Sequence, residues 1–106
     1  MPLFTSILPK TLAPGIAGHY AHGDKCTLGL VKLEKGSKVP LHNHSHEQIT
    51  YTVQGQLQMV IDGKDCLLEK GMYYVIPSYV MHSAVALTDC QVMDVFGPVR
   101  EEYKTL

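Results

Sequence analysis

The sequence lacks a charge excess of either sign. Nine Lys and Arg residues stand against ten Asp and Glu residues, the formal net charge is −1 at pH 7, and the basic residues form no block or stripe. Nucleic acid and anionic membranes attract proteins through such basic patches, so we expect neither as a partner. The 106 residues suffice for one hydrophobic core but not for two, and we expect a single domain over residues 1–106.

The sequence also lacks a long apolar run and any paired cysteine motif. The apolar start MPLFTSILPKTLAPG contains three prolines and no basic region before them, so we expect no signal peptide. No run approaches the roughly 20 apolar residues that span a bilayer. Cys26, Cys66 and Cys90 are odd in number and far apart. We expect them to be reduced thiols in a cytoplasmic protein.

Amphipathic helices are missing as well, because Gly and Pro interrupt every long window. The chain instead offers short strand-like runs at residues 26–33, 73–76, 83–87 and 90–96. Asp62-Gly63, between two alternating runs, is a strong signal for a two-residue β-hairpin. Many short strands at roughly 8–12-residue spacing predict an all-β sandwich or small barrel.

Residues 48–53 alternate strictly between polar and apolar side chains. Ile49, Tyr51 and Val53 occupy the odd positions, and polar residues occupy the even ones. This period of two predicts a strand with one apolar face. Tyr51 on that face is a candidate core residue.

Histidines recur at every second position of the stretch HNHSHEQ, at 42, 44 and 46. On an extended chain these side chains point the same way. Imidazole binds Zn, Fe, Ni, Co and Mn, which need three or four donors converging on one point. His42 and His44 supply two such donors from one segment, although a solvated polar loop is the alternative interpretation. The remaining donors must come from elsewhere, and the other histidines are His19, His22, His46 and His82.

Two ordered spacings surround these histidines. The first is Gly36, five residues, His42-x-His44, three residues, Gln48, six residues, Gly55; the second is Gly71, five residues, Pro77, four residues, His82. The blocks GSKVPLHNHSHEQITYTVQG and GMYYVIPSYVMH resemble the paired motifs of the cupin superfamily. The resemblance implies a double-stranded β-helix, also called a jelly-roll or cupin barrel. It further implies one divalent transition metal (Ni, Mn, Fe, Zn or Co) whose ligands are His42, His44, Gln48 and His82.

The chain departs from the usual cupin pattern at three positions. Gln48 stands where most of the superfamily has Glu, Tyr79 where the second motif usually has Gly, and Ala86 where Asn is often found. The last two changes concern turn geometry. His46 is a rival fourth ligand because it shares the parity of the two histidines before it, but Gln48 fits the glutamate position from both sides.

Glutamine at this position changes the charge of the predicted site. Three imidazoles and an amide oxygen are neutral, so a bound dication keeps its +2 charge, whereas a glutamate would lower it to +1. One unit charge at ~4 Å and an effective dielectric of ~20 is worth roughly 4 kcal/mol. The site therefore favours an anionic substrate or strong polarisation of a bound oxygen. It is less suited to the high oxidation states of an oxygen-activating iron.

The end of the chain, QVMDVFGPVREEY, places a carboxylate among apolar residues. Val92, Asp94 and Phe96 share one face of a predicted strand, and buried carboxylates usually have a partner or a function. A structural Asp94–Arg100 pair is one interpretation. HEQ after HxH together with D-x-F-x-P-x-R-x-x-Y resembles the pectin-degradation branch of the cupins. That resemblance implies opening of 4,5-unsaturated uronates to linear keto forms, with Asp94 and Arg100 catalytic and Phe96 and Arg100 contacting the substrate.

Three other functions stay open. One is an iron-dependent dioxygenase acting on a small molecule, and another is a non-catalytic sugar or small-molecule binder. The third is a lyase that uses the metal with a tyrosine base, for which the sequence offers Tyr51, Tyr73, Tyr74 and Tyr79. In each case the partner is a small molecule, for the best-supported function a carboxylate-bearing sugar. Because small barrels expose sheet edges, we also expect a homodimer, formed by sheet packing or by exchange of the apolar segment 1–12.

Overall fold

The structure, a computed structural model, describes residues 1–104. Within these residues the chain forms ten β-strands and two short 3-10 turns, at Phe4–Ser6 and Glu101–Tyr103. The strands are β1 (Lys10–Ala13), β2 (Ile16–His22), β3 (Thr27–Leu33), β4 (Lys38–His42), β5 (Glu47–Gln54), β6 (Gln56–Ile61), β7 (Lys64–Glu69), β8 (Tyr73–Ile76), β9 (His82–Ala86) and β10 (Cys90–Gly97).

The strands form two antiparallel sheets that face each other as a jelly-roll barrel. The six-stranded sheet has the order β1-β2-β3-β10-β5-β8, and the four-stranded sheet has the order β4-β9-β6-β7. The all-β cupin barrel predicted from the sequence is confirmed. The core lies between the sheets and is built from the inward residues of both, which include Ile16, Val31, Leu33, Leu57, Met59, Ile61, Ala84 and Val92.

The predicted hairpin at Asp62-Gly63 is also confirmed. Ile61 of β6 pairs with Lys64 of β7, and both turn residues have positive φ, 52° and 75°. A turn of this hand matches the twist of the flanking strands, which is why the Asp-Gly dipeptide marks it in the sequence.

Tyr79 has a φ of 65°. It thus holds the left-handed conformation that explains why glycine is usual at this position of the second motif.

The predicted orientation of β5 is wrong. Thr50 and Thr52 are 1% and 0% exposed, whereas Ile49 and Tyr51 are 39% and 45% exposed. Tyr51 is therefore not a core residue, and the polar side of β5 faces the barrel interior. The physical reason lies across the sheet, because the Thr50 hydroxyl donates a hydrogen bond to the inward carboxylate of Asp94.

The N-terminal segment contributes one strand to its own barrel, since β1 pairs with β2. The residues before β1 include the exposed apolar side chains Met1, Leu3 and Leu8. Among the described residues, no helix has the length and apolar character needed to cross a membrane.

Candidate metal centre and substrate cavity

Three histidines from two distant parts of the chain meet inside the barrel. His42 ends β4 and pairs with His82 at the start of β9, and His44 follows in the loop before β5. One ring nitrogen from each lies within 4.8 Å of the others. The sheet register thus brings together the residues that the two motifs carry separately.

The hydrogen bonds of these rings leave their other nitrogens free to bind a cation. Nδ1 of His42, His44 and His82 lies 2.8, 3.0 and 2.9 Å from the backbone oxygens of Pro40, His46 and Val80, respectively. A carbonyl oxygen only accepts, so each Nδ1 carries the proton and each Nε2 presents a lone pair. Metal-bound histidines are commonly fixed in this way. Nε2 of His82 is buried and has no hydrogen-bond partner among the described residues.

Gln48 completes the donor set. Its amide nitrogen donates to Thr50 Oγ1 at 2.8 Å and to Asp94 Oδ1 at 3.2 Å, which turns its Oε1 toward His44. The distance from that Oε1 to Nε2 of His44 is 3.1 Å. Since both atoms are acceptors in this arrangement, they repel each other unless a proton or a cation lies between them.

A proton is the less favoured way to resolve this contact. Burial lowers the pKa of His44, and the charge of Arg100 lowers it further. Burial likewise lowers the pKa of His82. Both shifts favour the neutral form of these two rings, which is the form that binds a metal. Three imidazoles plus an amide oxygen form a donor set that fits a divalent transition metal.

His46, the rival ligand, is not part of this cluster. Its ring is buried, and Nε2 donates to the backbone oxygen of Val99 at 3.2 Å. It therefore ties the C-terminal segment to the histidine loop. His19 and His22 lie on β2, where His19 contacts the backbone oxygen of Ile7 and His22 contacts Thr27.

Asp94 lies next to the donor set and is held by hydrogen bonds from β5. Thr50 donates to its Oδ1 at 2.8 Å, and the Gln48 amide donates to the same oxygen. Burial raises the pKa of Asp94 from 3.8 to about 6, against the lowering effect of these hydrogen bonds and of Arg100. A carboxyl group with this pKa can both accept and release a proton near neutral pH.

Arg100 does not form an ion pair with Asp94, which was one interpretation of the C-terminal motif. Among described residues its ion pair is with Glu102. The guanidinium carbon lies 4.7 Å from the centroid of the Phe96 ring and 4.2 Å from that of Tyr103. Only Nε of this buried guanidinium donates to a described side chain, so its terminal nitrogens remain available to an anion.

Two further tyrosines, for which no role is predicted from the sequence, lie at the same place. Tyr20 and Tyr103 both line the cavity described below, and their ring centroids are 4.4 Å apart. The signal for Tyr103 was its place at the end of the C-terminal motif, whereas nothing local marks Tyr20. The four tyrosines named for a lyase do not line this cavity, and Tyr51, Tyr73 and Tyr79 are exposed.

A cavity of about 410 Å³ connects these groups. It runs between β1 and β4, the edge strands of the two sheets, and residues of both strands line it. The site residues predicted from the sequence that line this cavity are His42, Gln48, His82, Asp94, Phe96 and Arg100. His44 belongs to the same site through its contacts with Gln48 and the other two histidines.

Comparisons with known proteins agree with this geometry. The family described as "Cupin domain" matches residues 29–96. The pectin degradation protein KdgF of Dickeya dadantii is 32% identical over 82 residues, which are 76% of this chain and 74% of that protein.

Two solved structures share the fold over nearly the whole chain. KdgF from Halomonas sp. has a TM-score of 0.89 and 33% identity, with 95% of this chain and 94% of that chain covered. An RmlC-like cupin from Shewanella frigidimarina has a TM-score of 0.90 at 24% identity, with 96% and 93% covered, and shows the fold alone. The family match spans more than half of this chain, and two relatives are more than 30% identical to it. This chain therefore belongs to the cupin family.

Proposed function

We propose that this cupin opens 4,5-unsaturated uronates to their linear keto forms, using one bound divalent transition metal. The contact between Nε2 of His44 and Oε1 of Gln48, beside Asp94, is the observation that carries the proposal. A cation between these two acceptors would relieve their repulsion, and because the four proposed donors are neutral it would keep its +2 charge. The similarity to proteins named for pectin degradation supports a uronate as the substrate.

The metal ligands in this proposal are His42, His44, Gln48 and His82. When bound, the metal supplies Lewis-acid polarisation of a substrate oxygen. Nickel, manganese, iron, zinc and cobalt all suit imidazole donors, and elemental analysis of untreated protein identifies which is present.

Arg100 and Phe96 orient the substrate. The free terminal nitrogens of Arg100 donate charge-assisted hydrogen bonds to the sugar carboxylate. The Phe96 ring, which lies with its edge toward His44 at a centroid distance of 5.8 Å, forms the apolar wall beside it. Because Arg100 lies over the rings of both Phe96 and Tyr103, its guanidinium is held in one position, which limits the orientations in which the sugar binds.

Asp94 moves the proton in two steps. Its carboxylate accepts the proton of the C1 hydroxyl while the C1–O5 bond breaks, which gives the C1 aldehyde and an enolate at C5. The same carboxyl group then protonates C4, and the enolate becomes the C5 ketone. One proton leaves O1 and one arrives at C4, so the reaction is a balanced isomerisation.

The test is the decay of unsaturated uronate absorbance with metal-loaded protein, chelator-treated protein and buffer. Loaded protein should accelerate the decay, and chelation should abolish the effect. The His82→Gln variant should lose metal, whereas the matched His19→Gln variant should keep it. Decay no faster than in buffer refutes the activity, and uronate-induced thermal stabilisation without turnover identifies a binding protein instead.

We further propose a homodimer that packs through the outer face of the six-stranded sheet. The sheet register aligns two apolar rows across its strands; these are Leu28, Val95, Ile49 and Val75, and beside them Leu30, Met93, Tyr51 and Tyr73. Tyr51, Tyr73, Val75 and Val95 are each at least 40% exposed. An isologous contact through one such face is the simplest way to cover it.

The free state of all three cysteines supports a cytoplasmic location.

A further inference from the structure

The cavity extends beyond the polar groups that a uronate would use. Its volume of about 410 Å³ lies within the range of roughly 300–1,000 Å³ typical of sites for drug-sized ligands. Its lining includes three of the proposed metal donors, Asp94 and Arg100 together with many apolar side chains. What lines the rest of the cavity therefore decides which further ligands it accepts.

The sheet register shows that polarity changes along the barrel axis. On β10, Asp94 lies between Thr50 and Gly29, and two residues earlier Val92 lies between Thr52 and Val31. Of these last three residues, Val92 and Val31 line the cavity and Thr52 does not. On β9 in the facing sheet, His82 is followed two residues later by Ala84, which pairs with Met59. Past the metal donors, the cavity is thus lined by apolar side chains, among them Ile16, Val31, Leu33, Leu57, Met59, Ala84 and Val92.

We propose that this inner compartment is a binding site for small carboxylic acids with an apolar body. The carboxylate lies at Arg100, whose terminal nitrogens are free, and the aliphatic or aromatic body extends between Val92 and Ala84. A sugar, with a hydroxyl on nearly every carbon, gains nothing from such a wall. An apolar chain gains roughly fourfold in affinity for each methylene that it buries. This site depends on the cavity and on Arg100, not on the uronate activity.

The first experiment measures calorimetric binding of acetate, propionate, butyrate and valerate to the full metal-free chain. Affinity should rise by about fourfold per carbon, or roughly sixtyfold from acetate to valerate. The heat-capacity change of binding should become more negative along the series, which marks burial of apolar surface. Butanol, an apolar body without a carboxylate, should bind at least tenfold more weakly than valerate. Equal affinity across the acids overturns the proposal.

The second experiment fills the compartment. Ala84→Leu adds three carbons to the inner wall, and Val85→Leu, on the opposite side of the same strand, is the matched control. Ala84→Leu should reduce valerate affinity at least tenfold and leave acetate affinity within twofold, while Val85→Leu changes neither. Ala84→Val with Val85→Ile is the milder pair should the larger side chain prevent folding. Equal effects of the paired variants overturn the proposal.

Uronate turnover separates this inference from the proposed function. A chain that opens no unsaturated uronate but shows the chain-length dependence supports the apolar site and refutes the activity. A chain that opens uronates and binds all four acids equally supports the activity and refutes the apolar site.

Discussion

Gln48 controls the charge of the site at the scale of single residues. Its amide nitrogen is committed to Thr50 and Asp94, so its oxygen is fixed toward His44. A glutamate here would have no proton to donate to Asp94 and would place a second negative charge beside it. The neutral residue therefore spares Asp94 a like-charged neighbour, and in the proposed metal site it would also preserve the charge of the cation.

Gln48→Glu should retain or strengthen metal binding while kcat/KM for unsaturated uronates falls at least tenfold. The added charge weakens attraction of an anionic substrate and raises the pKa of Asp94, so the pH profile should move to higher pH. Steady-state rates between pH 5 and 9 measure both effects. Gln54→Glu, on an exposed position of the same strand, is the control. Wild-type kinetics in metal-loaded Gln48→Glu would contradict this role.

Asp94→Asn should make the metal-free protein more stable and the loaded enzyme less active. Burial raises the Asp94 pKa from 3.8 to about 6, so the folded state binds this proton more tightly than the unfolded state. The stability that this group contributes is complete below pH 4 and is lost as pH rises through 6. At pH 7 the ionised group costs up to about 3 kcal/mol.

Denaturant unfolding of wild type and Asp94→Asn between pH 4 and 8 measures this difference. The advantage of the variant should appear at pH 7 and disappear toward pH 4, and its turnover should fall at least 100-fold. Asp65→Asn, at an exposed position of β7, should show neither effect. A stability difference independent of pH would show that the carboxylate is not disfavoured by burial.

At the scale of secondary-structure elements, β2 and β3 are shaped to hold one aromatic ring against the sheet. A Cβ built on Gly18 or Gly29 would lie 2.6 Å from the nearest atoms of the Tyr20 side chain. Tyr20 thus lies flat over two glycines. Tyr103 packs on Tyr20 with the two ring planes 36° apart, and Arg100 lies over Tyr103. Gly18 and Gly29 therefore determine how closely Tyr20 approaches the sheet, and through Tyr103 they determine where the guanidinium of Arg100 lies.

Gly29→Ala should displace Tyr20, and with it Tyr103 and Arg100. The new methyl group forces the Tyr20 ring away from the sheet, which should lower stability by about 1–3 kcal/mol and raise KM for the uronate more than it changes kcat. Thermal unfolding and steady-state kinetics measure the two effects. Gly97→Ala is the matched control, since nothing lies within 4 Å of its Cβ position. A fully active and stable Gly29→Ala would show that Tyr20 does not position Arg100.

At the scale of the whole molecule, the barrel has an apolar face on the outside as well as a core within. β5 turns its threonines inward to meet Asp94, and the same alternation obliges Ile49 and Tyr51 to face outward. The polar interior of the site and the apolar exterior of the sheet are two consequences of one strand orientation. The proposed function inside the barrel and the proposed dimer contact outside it therefore depend on the same strand orientation.

Val95→Lys should convert a dimer to a monomer. Val95 is 40% exposed in the middle of the apolar rows, and a lysine there would place a charge at the centre of the contact. Light scattering coupled to size exclusion measures the mass. Leu67→Lys, equally exposed on the four-stranded sheet, should leave the dimer intact. A wild-type chain that is monomeric at micromolar concentration would refute this interface.

The sequence alone determined what depends on local order. The β8 bounds match the run predicted at residues 73–76, and the Asp62-Gly63 turn formed as predicted, because alternation and turn preference act between neighbours. The resemblance of the two spaced motifs to those of cupins implied His42, His44 and His82 as ligands, and the barrel brings these three histidines together.

Only the tertiary structure decided which way each strand faces and which groups meet across the barrel. Alternation shows that β5 has two unlike faces but not which is inside, because that depends on Asp94, more than forty residues away. The contact between Tyr103 and Tyr20 follows from how the C-terminal segment folds back, and it brings Arg100, which lies over Tyr103, to the cavity. Tyr20 reaches the site only because Gly29, on the neighbouring strand, leaves room for its ring. Such contacts join distant segments, and no local pattern records them.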